Sequence, residues 1–90
     1  MLRAARQHTV AHLHFLLAEL RRYQRLSSEV TLAIIHIDDL TDLMDDLHVH
    51  GHPLFVSLQD ARLQLVAFQR NCYQAIKMTL QRLENLFQRH

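Results

Sequence analysis

Apolar residues recur along this chain at helical spacing, in three stretches. Near the N-terminus Val10, Leu13, Leu17 and Leu20 fall three or four apart, with Leu16 and Tyr23 widening the stripe. That spacing gathers them on one face and predicts an amphipathic helix over about 3–26. Arg21, Arg22 and Arg25 crowd its last turns, where cations suit the negative end of the helix dipole. Ser27 and Ser28 interrupt the pattern, and either can cap a new helix with Glu29 in its first turn. Ala33, Ile37, Leu40, Met44 and Leu47 then resume a four-three alternation and predict a second helix over about 29–47. Residues 30–37 also form a β-branched run of strand length. Helix is the better reading there, because no other segment supplies a strand to pair with and an isolated strand leaves its backbone groups unsatisfied.

Gly51 is the expected stop after the second helix, and Pro53 the expected start of the third, where a missing N–H costs nothing. From Pro53 to Arg89 the sequence has no further glycine or proline, and Leu58, Ala61, Leu65, Phe68, Cys72, Ile76, Leu80, Leu83 and Phe87 mark one long helix over about 53–89. Short connections make these three helices antiparallel neighbours. The expected fold is therefore all-α, a single domain (1–90) forming an antiparallel three-helix bundle with a long C-terminal helix. At about 1.5 Å per residue the third helix spans roughly 55 Å against 30–35 Å for the others. Its last 12 to 15 residues, by the same rise per residue, would overhang. That tail carries Tyr73, Ile76, Leu80, Leu83 and Phe87, alternating at three and four as in a coiled-coil seam. A break near Arg70-Asn71 would instead fold it back and give four helices.

Composition narrows the class of protein. Apolar residues make up 49% of 90 positions with one Gly and one Pro, which excludes disorder and disfavours a loop-rich β fold. A formal net charge of +1 supplies no global basic field for nucleic acid or membrane surfaces. No apolar run reaches the roughly 20 residues needed to cross a bilayer. The single cysteine suits a reducing compartment, pointing to an intracellular, cytoplasmic protein. Arg3 and Arg6 in an amphipathic N-terminal stretch without an acidic residue before Glu19 keep mitochondrial import open as an alternative.

Eight histidines are the main candidate chemistry. In an up-down-up bundle His8, His12 and His14 share one end with His48, His50 and His52. His8 and His12 stand one helical turn apart, a chelating spacing, and neutral imidazole suits zinc or another divalent transition metal. The candidate metal set is His8, His12, His48, His50 and His52; the same cluster would repel itself on protonation and so respond to pH. Asp38, Asp42 and Asp45, like Asp39 and Asp46, read as a solvated face matching the arginines. Cys72 lies on the apolar stripe and reads as a packed small hydrophobe.

Leu17-Ala-Glu-Leu-Arg-Arg-Tyr-Gln-Arg25 followed by Leu32-Ala-Ile-Ile-His-Ile-Asp-Asp-Leu40 resembles the opening helix and first strand of diguanylate cyclase domains. The resemblance would imply a strand ending in an Asp-x-Asp-like metal-binding element. His36 stands where that family has its first Asp, and the Gly-Gly-Asp/Glu-Glu-Phe signature is absent, so the reading rests on the second segment being a strand. Our functional expectation is a non-enzymatic protein-binding or oligomerisation module, such as an adaptor or complex subunit. In this reading Tyr73, Ile76, Leu80, Leu83 and Phe87 contact a second copy or a partner helix. The alternative is a metal- or pH-responsive helical protein. No set of nucleophile, base and oxyanion donors assembles for catalysis, and no glycine-rich loop cradles phosphate.

Overall fold

The computed structural model describes the backbone of residues 2–88 and the side chains of residues 9–88. Within them the chain is a helical hairpin: α1 runs Leu2–Asp46 and α2 runs Pro53–Gln88. The described residues contain no strand, and 30–37 are helical, so the expected all-α class holds and the cyclase-like strand does not form. The three-helix arrangement is replaced by two helices, because the expected break at Ser27-Ser28 is absent. The Ser28 hydroxyl donates to the Gln24 carbonyl at 3.1 Å and the Thr31 hydroxyl to the Ser27 carbonyl at 2.9 Å. Groups that elsewhere cap a helix here bond back to the preceding turn and leave it continuous. α2 is likewise unbroken at Arg70-Asn71.

Packing explains the continuity better than local propensity does. Leu13, Leu16, Leu20 and Tyr23 lead through Ser27 into Val30, Ile34, Ile37, Thr41 and Met44 with an uninterrupted three-four alternation, and none of these is exposed. On α2 the matching stripe runs from Phe55 and Leu58 through Arg62, Leu65, Gln69 and Cys72 to Ile76, Thr79, Leu83 and Leu86, again with no exposed member. A strict seven-residue repeat holds each stripe against the facing helix along its whole length, as in an antiparallel coiled coil. Ending α1 at Ser27 would discard half of that seam.

Three polar pairs fix the register. Gln59 Nε2 donates to Thr41 Oγ1 at 3.3 Å, Arg62 Nε to Asp38 Oδ1 at 2.7 Å, and Gln69 Nε2 to Thr31 Oγ1 at 2.5 Å. Each pair has the same residue-number total, so the helices are in strict antiparallel alignment with no slip between rungs. Carried to the far end, that alignment sets Gln88 level with His12. The expected C-terminal overhang is therefore reversed: α2 is matched by α1 throughout, and the first turns of α1 extend past the level of Gln88.

The turn supplies its own stop. His48 has φ 57°, its N–H donates to the Asp45 carbonyl at 3.1 Å, and the Val49 N–H donates to the Met44 carbonyl at 3.0 Å. This pair of bonds around a left-handed residue is a Schellman ending. Gly51, the expected stop, has no positive φ, so the left-handed position falls three residues earlier, on an imidazole. His52 precedes Pro53 and its Nδ1 accepts the Leu54 N–H at 3.0 Å, capping α2 where the first N–H groups lack helical partners.

The hairpin measures 70 × 16 × 14 Å with a radius of gyration of 20.2 Å, against about 12 Å for a compact domain of this length. One layer of two helices leaves little interior.

Two outcomes test this account. His48→Gly should raise stability by about 0.5–1 kcal/mol, because glycine removes the left-handed strain and gives back part of the gain as chain entropy. Thermal denaturation reads it, and a fall in Tm would contradict the strained ending. Leu16→Ala should cost about 2–5 kcal/mol, the range for a buried leucine, since Leu16 is 1% exposed. Leu63→Ala, at 67% exposure, should change stability by less than about 0.5 kcal/mol.

Candidate helix-packing interface

Each helix spends one stripe on the other, and the stripes that flank it define two edges of the hairpin. Thr31 and Asp38 bond to α2, and Gln59 bonds to α1; these residues lie one position after seam residues and form the ladder edge. On the opposite edge Glu19, Ala75, Met78 and Arg82 border one shallow cleft with Leu16, Tyr23 and Thr79. Following that edge by sevens gives Leu26, Ala33 and Leu40 on α1 and Leu47 just past its end, and Leu54, Ala61, Phe68 and Ala75 on α2. It is apolar from the turn to mid-hairpin, and Leu40, Leu47, Leu54 and Phe68 are all exposed.

The five residues expected to meet a partner divide between two environments. Leu83 is buried and Ile76 half-buried in the seam with α1, whereas Tyr73, Leu80 and Phe87 are exposed at the open end of the ladder edge. The apolar edge at Leu26, Leu40, Leu47 and Leu54 was not singled out from sequence as a contact surface. Its signal was present as the seven-residue spacing of the leucines.

The histidines do not converge within one chain. His12 and His48 are about 54 Å apart along the rod at 1.5 Å per residue, because the merged helix removes the reversal that would have brought them together. The side chain of His8 lies outside the described residues. Among the described residues no group of three or more His, Cys, Asp or Glu side chains is placed to hold a metal ion. The turn histidines have local roles instead: His48 ends α1, His52 caps α2, and His50 pairs with Asp45 and meets the Phe55 ring edge-on at 5.5 Å.

Electrostatics at the ladder centre on Arg62. Its hydrogen bond with Asp38, and then the charge of that carboxylate, raise its pKa above the usual arginine value, with desolvation opposing weakly. A raised value means that Arg62 stays charged throughout the range below its own pKa and that its contribution is lost on passing above the arginine range, so Arg62 adds no titration near neutrality. Both side chains are partly exposed, at 40% and 47%, which keeps the pair weak. Asp39, Asp42, Asp45 and Asp46 are exposed, and Cys72 is buried. Arg22 lies 3.9 Å from Glu19 and stacks 5.4 Å from the Tyr23 ring. Among the described residues no helix is long and apolar enough to cross a membrane.

No protein-family model matches the chain, and no curated protein or solved structure is significantly similar to it.

A double-mutant cycle on Asp38→Ala and Arg62→Ala should return the small coupling of a solvent-screened pair. Exchanging the charges (Asp38→Arg with Arg62→Asp) should recover stability lost in Asp38→Arg alone. A coupling of several kcal/mol would mean that the pair is shielded by something beyond this hairpin.

Proposed function

We propose that this chain is a non-enzymatic assembly module, a helical hairpin that completes its core by packing its outer faces on further helices. The observation that carries this reading is the balance of apolar side chains. Among the described residues sixteen large hydrophobic side chains are exposed, against five that are buried. Scattered exposed leucines are ordinary, but seven of the sixteen fall in the seven-residue phase of the two edges, which is how packing faces are built. Exposing so much apolar surface on a single chain forgoes about 1.5–3 kcal/mol for each large side chain that burial would gain. Tyr73, Leu80 and Phe87 on one edge and Leu40, Leu47 and Phe68 on the other are the residues offered to partners. The clefts are shallow, and the titratable groups are dispersed along the rod, which supports binding rather than catalysis. The lone buried thiol suits a reducing, cytoplasmic setting.

Thermal melting over a wide concentration range tests the reading. An assembly-dependent hairpin should show a Tm that rises with concentration, or, without its partner, a weak transition with strong binding of a hydrophobic dye. A sharp, concentration-independent transition of a monomer that binds no dye would overturn it.

A further inference from the structure

We infer that the turn is a proton-operated clasp, in which His52 holds the start of α2 only while its imidazole is neutral. Acid releases that hold and at the same time tightens His50 on the end of α1. The inference stands apart from the assembly reading and adds a response to pH.

The start of α2 shows why one imidazole matters. The first N–H groups of a helix have no carbonyl one turn earlier to bond. Here Pro53 has no N–H, the Phe55 N–H donates to the His52 carbonyl at 2.9 Å, and the Leu54 N–H donates to His52 Nδ1 at 3.0 Å. Only the last of these bonds depends on protonation. A ring nitrogen that accepts must keep its lone pair, so Nδ1 is bare and Nε2 carries the ring hydrogen. A proton taken from solvent by Nδ1 turns the acceptor into a donor and breaks the bond to Leu54. It also places a cation at the positive end of the α2 dipole.

His50 responds in the opposite sense. Its Nε2 faces an Asp45 carboxylate oxygen, and its ring meets Phe55 edge-on at 5.5 Å. Protonation makes that hydrogen bond charge-assisted, and the bond lies at the end of α1, where a cation suits the dipole. His48, in the left-handed conformation at φ 57°, shares that end. The charged groups that the two helices bring to the turn are Asp42, Asp45 and Asp46 from α1 and Asp60 from α2. All four are carboxylates, which a protonated turn can face.

The neutral form of His52 is the one that α2 uses. The cap's contribution is therefore complete above the ordinary imidazole range, about pH 6.5, and is lost as pH falls through it. What acid loosens is the first turn of α2, with Leu54 on the apolar edge and Phe55 in the seam. The three polar rungs contain no imidazole, so the register of the hairpin does not follow the same proton.

The experiment is nuclear magnetic resonance of the full chain from about pH 8 to 5, which spans the imidazole range. It follows the His52 ring nitrogens and the Leu54 amide, and thermal melts compare wild type, His52→Asn and His50→Gln at one concentration. We expect a bare Nδ1 at the upper end and a Leu54 amide proton whose shift follows the protonation of His52, in wild type and in His50→Gln alike. Asparagine caps at any pH in this range, so the folding constant of wild type relative to His52→Asn should fall about fivefold on acidification, the ordinary effect of losing one side-chain cap. The acid loss in His50→Gln should exceed that of wild type, since the opposing gain is gone. A ring hydrogen on Nδ1 at the upper end would overturn the clasp. So would a Leu54 amide that is indifferent to His52 or stops titrating in His50→Gln, or a ratio of wild type to His52→Asn that stays constant with pH. An acid loss in His50→Gln no larger than that of wild type would remove the opposing role of His50.

Discussion

The antiparallel register of the two helices depends on three polar rungs set into an otherwise apolar seam. Thr41–Gln59, Asp38–Arg62 and Thr31–Gln69 sit at matching levels of α1 and α2. A purely apolar three-four seam tolerates a slip of one heptad at modest cost. A polar rung does not, because a slip leaves a glutamine amide or a guanidinium against apolar groups. Specificity obtained this way lowers stability, since Arg62, Gln69 and Thr79 occupy positions that leucine would fill more favourably. The hairpin is thus well specified and thinly stabilised, a combination that makes the outer faces matter.

The turn shows the same balance at smaller scale. Six residues separate Asp46 from Pro53, and within them the chain ends one helix, reverses and caps the next. The left-handed position falls on His48, not on the glycine three residues later, so the ending is held by its two carbonyl bonds and not by intrinsic preference. What fixes the site is the seam on either side. Met44 and Phe55 must both reach the interior, and the backbone between them adopts the geometry that allows it. Tertiary packing overrides local propensity at this point.

The same override explains what could be read from sequence and what could not. Helical spacing, the start of α2 at Pro53 and the helical state of residues 30–37 were legible because apolar periodicity is strong and no strand partner exists. The division at Ser27-Ser28 was misread because serine is a capping residue in isolation, yet Ser27 lies in phase with Tyr23 and Val30 and its small side chain fits the seam. Following the three-four alternation through the polar positions would have joined the two segments. On α2 the apolar residues alone mix two stripes, so Ile76 and Leu83 were grouped with Tyr73, Leu80 and Phe87. The true seam includes Arg62, Gln69 and Thr79, polar residues that a hydrophobicity pattern passes over. The histidine cluster failed for a derived reason: its convergence required a reversal that the merged helix does not make.

Merging the first two segments also changes what the charges mean. The arginines near residue 22 and the aspartates near residue 42 belong to one continuous helix. On this 45-residue helix they lie about 30 Å apart at 1.5 Å per residue, beyond any screened interaction with each other. The apolar edge and the polar seam then have a common physical basis: polar rungs align the two helices, while sixteen large apolar side chains stay exposed among the described residues.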